Sequence, residues 1–158
     1  MPAITPNLWF DTEAEEAANF YISVFSNSRI VNVARYTEAG PRPAGTVMTV
    51  EFELDGQLFV GINGGPQFTF DEAISLLVNC ADQDEIDFYW TELTEGGGEE
   101  SQCGWLKDKF GVSWQVVPAD WADLLNDPDP ARAQRAMDAL FTMRKIDIAA
   151  IYAAADGT

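Results

Sequence analysis

Leu8-Trp9-Phe10, followed by Asp11-Thr12-Glu13-Ala14-Glu15-Glu16-Ala17-Ala18-Asn19-Phe20-Tyr21-Ile22-Ser23-Val24-Phe25, has a second version further along the chain. There Leu76-Leu77-Val78 leads into Asn79-Cys80-Ala81-Asp82-Gln83-Asp84-Glu85-Ile86-Asp87-Phe88-Tyr89-Trp90-Thr91-Glu92-Leu93. Each copy reads as an apolar strand, an acidic helix start and a helix carrying Phe-Tyr. Setting Phe20-Tyr21 on Phe88-Tyr89 spaces the copies 68 residues apart and brings Leu8 onto Leu76 and Phe25 onto Leu93. Two copies are too few for a solenoid, so the pattern is that of a duplicated module. Duplication predicts a cleft shared by two halves.

Working outward, Ile4 to Phe10 alternates as a strand, with Thr5, Asn7 and Trp9 on one side and Pro6, Leu8 and Phe10 on the other. Thr12 and Glu15 have the spacing of a capping box, and Ala17, Phe20, Tyr21, Val24 and Phe25 make a helical stripe. Arg29 to Tyr36, Thr46 to Leu54 and Leu58 to Asn63 are predicted strands, the last two joined by an Asp55-Gly56 hairpin turn. The first half is therefore β-α-β-β-β. The second restarts with a strand over Ala73 to Asn79. A helix with the Asp82/Glu85 capping spacing and a stripe of Ile86, Tyr89, Trp90 and Leu93 follows. Glu95 to Gln102, with three glycines in a row, is predicted to be a mobile loop. Gly104 to Lys107 and Val112 to Val117 are the closing strands. The hairpin repeats as well, Gly56 and Phe59 matching Gly111 and Trp114. Beyond Pro118 the pattern is helical, with Asp129 as a cap and Pro130 in the first helical position. The organisation is a first module over 1–66, a second over 67–118 and a helical extension over 119–158, in one structural domain.

The net charge of −17 argues against binding a phosphate backbone, so no nucleic-acid partner is predicted. It would permit attraction of a cationic ligand, although a solvated, solubilising acidic surface is the better explanation. No apolar run approaches the ~20 residues of a membrane span. The first residues lack the basic and apolar regions of a signal peptide. Cys80 and Cys103 form no metal-ligand spacing and are expected to be reduced, which points to the cytoplasm.

Three further stretches belong together: Ile4 to Phe10 with Glu16 to Tyr21, the run Cys103-Gly104-Trp105-Leu106-Lys107-Asp108-Lys109-Phe110-Gly111-Val112-Ser113-Trp114-Gln115-Val116-Val117-Pro118, and Met143 to Ile148. With them the chain resembles the PhnB-like proteins of the glyoxalase/bleomycin-resistance/dioxygenase (vicinal oxygen chelate) superfamily, often labelled 3-demethylubiquinone-9 3-methyltransferase. The resemblance implies an α+β fold: two βαβββ modules in a curled mixed sheet that forms a cup, followed here by C-terminal helices. It also implies a homodimer, the modules pairing within a chain or across chains.

Metal enzymes of that superfamily draw His, Glu or Gln ligands from the first and last strands of each module. Carried onto this chain, those positions fall at about Thr5, Ala73, Val60 or Gly61, and Gln115. Only Gln115 has a suitable donor, and the chain has no histidine. Glu51 and Glu53 lie one strand away. No family-type metal and no other cofactor is predicted. The glycines of Gly61 to Gly65 are not followed by a helix, so the methyltransferase label finds no nucleoside-cofactor motif here. By alternation Thr5, Asn7, Trp9, Ser75, Leu77 and Gln115 face the cup, with Trp105 or Leu106 at its rim. Aromatic and uncharged polar groups in that mixture suit a small organic ligand, although core or dimer packing accounts as well for either tryptophan. Three other readings stay open: a metal-dependent lyase or dioxygenase using Gln115 with Glu51 or Glu53, sequestration of a cationic drug, and the methyltransferase.

Overall fold

Eight strands alternate with helices in the computed structural model, which describes residues 3–158. They divide into two units, one ending at Phe70 and one running from Asp71 to Thr158. The sequence reading set its first boundary after residue 66. It treated 119–158 as an extension, and those residues fall in the second unit.

The first unit holds β1 (Asn7–Phe10), α1 (Ala14–Val24), β2 (Arg29–Arg35), β3 (Val47–Leu54) and β4 (Gln57–Asn63). Its sheet has the order β1-β4-β3-β2, with β1 parallel to β4 and the other pairs antiparallel. Alternation divides the strands cleanly, because successive side chains leave a strand on opposite faces. Leu8, Phe10, Val50, Phe52, Leu54 and Phe59 are buried, together with Ala14, Ala17, Ala18, Tyr21 and Val24 of α1. Tyr21, Phe52 and Phe59 stack in series, with ring centroids 6.1 and 5.6 Å apart.

The start of α1 departs from the expected Thr12/Glu15 box. The helix begins at Ala14, and Glu13 in the cap position supplies no side-chain bond to it. Instead Ala14 N donates to Asn63 Oδ1 at 2.8 Å. Parallel pairing of Phe10 with Asn63 brings the end of β4 beside the helix start, so the cap comes from a residue distant in sequence.

The second unit repeats the plan with β5 (Ser75–Cys80), α2 (Gln83–Thr94), β6 (Glu99–Glu100), β7 (Trp105–Lys107) and β8 (Ser113–Pro118). The order β5-β8-β7-β6 matches the first sheet position for position. The stretch read as a mobile loop over 95–102 contains β6. A two-residue strand carries no alternation to detect, and its glutamates and flanking glycines mimic a loop.

Here the capping spacing holds: Asp82 Oδ1 accepts from Glu85 N at 3.0 Å, and Glu85 Oε2 accepts from Ala81 N at 2.7 Å. The hairpin repeat sets Pro118 where β4 has Asn63, and proline has no side-chain acceptor, so α2 caps itself. The repeat is therefore real, but its helices are not in the register set by Phe-Tyr. Ile86, Trp90 and Leu93 are the buried residues of α2, whereas Phe88 is 47% exposed. They correspond to Ala17, Tyr21 and Val24, a helix spacing one residue longer than the dipeptide indicates.

α3 (Trp121–Leu125), α4 (Pro130–Leu140) and α5 (Ile148–Asp156) complete the unit. Asp129 and Asp147 cap the last two by accepting from Ala131 N and Ala150 N. The second helical piece, expected from Lys145, starts only at Ile148, and the turn and bend before it bind the rest of the unit. Cys103 N and Gly104 N donate to the carbonyls of Met143 and Arg144, and Gln83 bridges Ile146 O and Ile148 N. A Cβ on Gly104 would come within 2.8 Å of Ile146, which explains the glycine of the Cys-Gly-Trp run.

The rest of that run is explained by Asp108, which is 2% exposed. Its Oδ1 accepts from Phe110 N and Val112 N, at 2.8 and 3.1 Å, and its Oδ2 accepts from Trp114 Nε1 at 2.9 Å. One carboxylate thus ties the β7–β8 turn to the strand after it. Asp108→Ala strands three donors and is expected to cost about 3–4 kcal/mol, read as a lowered midpoint in urea unfolding. Asp108→Asn keeps one acceptor oxygen and is expected to lose less.

Candidate functional site

The face of the second sheet turned away from α2 carries two rows of residues set by strand register. Leu77 pairs with Gln115, and Gln115 with Trp105. Beside them Ser75 pairs with Ser113, Ser113 with Lys107, and Lys107 with Glu99. The two rows are stitched together by Gln115 Nε2, which donates to Ser75 Oγ at 2.8 Å. Ser75, Gln115 and Trp105 are half-buried and Leu77 is exposed. Four residues singled out in the sequence therefore share one face of one sheet. Sequence reasoning passed over Ser113, Lys107 and Glu99. The signal for the first two was present, since each lies two residues from a chosen position on the same strand; Glu99 required the unseen β6.

A cavity of about 140 Å³ opens at the β6–β8 side of this face, lined by Glu72, Glu99, Glu100, Trp105, Lys107 and Ser113 among others. Lys107 Nζ pairs with Glu72. The hydrogen bond from Lys107 holds the Glu72 carboxyl below its ordinary range, and the same bond raises Lys107, assisted by the charges of Glu72, Glu99 and Asp71. Trp90 Nε1 donates to Glu100 Oε1 at 2.7 Å, fixing that side chain from α2. Ser113 is 1% exposed, and its Oγ has no hydrogen-bond partner among the described residues.

Thr5, Asn7 and Trp9 lie in the first unit. Asn7 Nδ2 donates to Thr5 O at 2.9 Å, a local bond just before and at the start of β1. Trp9 faces away from α1, yet it is packed: its Nε1 donates to Gly65 O at 3.0 Å and its ring meets Phe68 edge-on at 5.0 Å. Gly64 lies so close that a Cβ there would sit 2.2 Å from the indole. Trp9 thus anchors the segment after β4. Of the two acids on β3, Glu53 is paired with Arg29 at 2.9 Å.

Of the positions that the resemblance assigns to a metal, Thr5 and Gln115 alone carry a side-chain oxygen. Ala73, Val60 and Gly61 offer no side-chain donor, and Gln115 gives its Nε2 hydrogen to Ser75 while its Oε1, the atom a metal would take, is not part of that bond. Among the described residues no three His, Cys, Asp or Glu are gathered as a metal would require. The cysteines are both free. Burial, and next the charges of Glu85 and Asp82, push the Cys80 thiol up to about 12, so it stays protonated well above neutrality.

With two sheets of identical order, each flanked by a helix between its first two strands, the molecule is of the glyoxalase/bleomycin-resistance, or vicinal oxygen chelate, class. A family model described as 3-demethylubiquinone-9 3-methyltransferase matches residues 2–117, and the chain belongs to that PhnB-like family. A solved PhnB protein from Bacillus cereus bearing the same description is 42% identical over 75% of this chain and 100% of its own, with a TM-score of 0.68. Protein PA1353 from Pseudomonas aeruginosa (20% identity, 75% and 98% coverage, TM-score 0.61) shares the fold. So does the fosfomycin resistance protein FosX from Listeria monocytogenes, solved with Mn(II) and sulfate (12%, 79% and 95%, 0.53). No curated protein matches the sequence.

Because thiolate is the reactive form, Cys80 is expected to resist a disulfide reagent at pH 8 in the folded protein and to react only on unfolding. Counting thiols released with and without denaturant checks this.

Proposed function

We propose that this chain binds a small organic molecule on the open face of its second sheet, without a metal held by family-type ligands. The observation that supports it is the convergence of Leu77, Gln115 and Trp105 with Ser75, Ser113 and Lys107 on one partly open face beside a cavity. Apolar, aromatic and directional polar groups in one concave place are what recognition of a small ligand needs. Family membership leaves the reaction open, since one fold hosts many chemistries. The methyltransferase description would require a place for S-adenosylmethionine, and no residue group described above suits a nucleoside cofactor. Two free cysteines support work in a reducing compartment such as the cytoplasm. Among the described residues no helix is long and apolar enough to cross a membrane.

A thermal-shift screen of chelator-treated protein tests the reading, with Mn²⁺, Fe²⁺, Ni²⁺, Zn²⁺, S-adenosylmethionine and a metabolite set as additions. An organic compound at a hundred times its dissociation constant is expected to stabilise by about 2.7 kcal/mol, and Gln115→Ala to remove most of the shift. A metal-induced shift lost in the same variant would instead establish a metal enzyme.

The chain also acts, in this proposal, as a homodimer. Exposed Phe68, Ile74, Phe88 and Phe141 support it, being large apolar groups left facing solvent. Sedimentation equilibrium is expected to give twice the 17.4 kDa chain mass; a single-chain mass across micromolar concentrations would refute it.

A further inference from the structure

Asn63 and Gly64 are each fixed by a separate demand of the first unit. Asn63 is 4% exposed and uses both ends of its amide. Its Oδ1 accepts from Ala14 N at 2.8 Å, capping α1, and its Nδ2 donates to Val47 O at 3.1 Å, at the start of β3. Its carbonyl accepts from the Tyr36 hydroxyl at 2.7 Å. Gly64 has to be glycine because a Cβ there would lie 2.2 Å from the indole of Trp9. The two demands fall on adjacent residues, and no other asparagine of the chain precedes a glycine.

That juxtaposition has a chemical consequence. Asparagine is a thermolabile residue, and a glycine after it, lacking a Cβ, leaves the following amide nitrogen unhindered. Once deprotonated, this nitrogen attacks the side-chain carbonyl carbon. A bond forms from Gly64 N to Asn63 Cγ, the Cγ–Nδ2 bond breaks, and ammonia leaves with the proton that the backbone amide gave up. Water then opens the cyclic imide at either carbonyl. One opening gives aspartate. The other gives isoaspartate, in which the chain runs through the side chain and the backbone gains a methylene.

In the folded chain every participant is occupied. Gly64 N donates to Phe10 O at 2.9 Å, and the Asn63 amide would have to leave both Ala14 N and Val47 O to meet it. Reaction therefore needs the end of the β1–β4 ladder and the cap of α1 to open together. Neither product rebuilds this junction. Aspartate keeps an acceptor for Ala14 N but sets a carboxylate oxygen against Val47 O, where the amide had set a donor. Isoaspartate also moves Gly64 out of the register in which its N–H meets Phe10 O.

We propose that Asn63-Gly64 is a site of spontaneous modification, shielded in the fold and converted to aspartate and isoaspartate, with loss of the α1 junction, in chains whose first unit has opened.

Cleavage after glutamate isolates the site on the peptide Leu54–Glu72. Mass mapping of that peptide after incubation at pH 8, with and without guanidinium chloride, tests the proposal. The denatured chain is expected to lose ammonia at Asn63 and give two products of equal mass that chromatography separates. The folded chain is expected to keep its amide over the same period. Equal rates in the two states would overturn the proposal, as would ammonia loss from the denatured chain with Asn63 intact. Asn63→Asp supplies one product directly and is expected to melt at a lower temperature than the wild type at pH 8, or not to fold. On removal of the denaturant, intact chains should refold and isoaspartate chains should not. An Asn63→Asp variant as stable as the wild type, or isoaspartate chains that refold fully, would remove the junction from the inference and overturn it.

Discussion

A side chain on a strand has two choices of face, and a slip of one residue exchanges them all. In the second unit that choice is made at the β7–β8 turn. Asp108 accepts from two backbone amides of the turn and from the indole of Trp114, so Trp114 is held on the helix side and its neighbours are assigned by alternation. Ser113 and Gln115 must then face outward, opposite Lys107 and Trp105. The polar rows of the candidate site are thus a consequence of one buried carboxylate that touches none of them. The carboxylate is fully engaged in the hairpin, which is why the most family-specific stretch of the chain says more about shape than about reaction.

The two modules solve the same problem with different chemistry. Both need an acceptor for the amides at the start of the helix that follows their first strand. The first takes it from Asn63, so its helix and last strand are joined across 49 residues of sequence. The second has Pro118 there and relies on Asp82 beside the helix. Long-range capping makes the first helix dependent on a completed sheet, whereas the second can form its cap from local sequence alone.

Much of the fold was legible because its evidence is periodic. Strand alternation, the Asp55-Gly56 turn, the Asp82/Glu85 spacing and the Asp129-Pro130 start all depend on nearby residues, and all appear as expected. The Thr12/Glu15 cap failed because its competitor was Asn63, which no local pattern could reveal. The repeat register failed because Phe-Tyr was matched as a word; burial follows Tyr21 and Trp90 instead. For the site, alternation set Ser75, Leu77 and Gln115 on one side of their strands, where the register also pairs them, and left the rim open between Trp105 and Leu106; the register puts Trp105 opposite Gln115. Alternation could not show that Trp9 is consumed by Gly65 and Phe68, nor that Ser113 lacks a partner, because both depend on what lies above the strand.

The outer strands of the two sheets differ in length, and this has a consequence for how the chain fails. β6 offers two glutamates, too short and too charged to template another strand. β2 ends the first sheet with seven residues, Arg-Ile-Val-Asn-Val-Ala-Arg, whose interior bears no charge. Within β2 its charges are the arginines at the two ends, and Arg29 is paired with Glu53. Of these two borders β2 is therefore the better template for recruitment of one chain by another in a crowded or heated solution; the second sheet's other border, β5, is six uncharged and largely apolar residues and has no such protection.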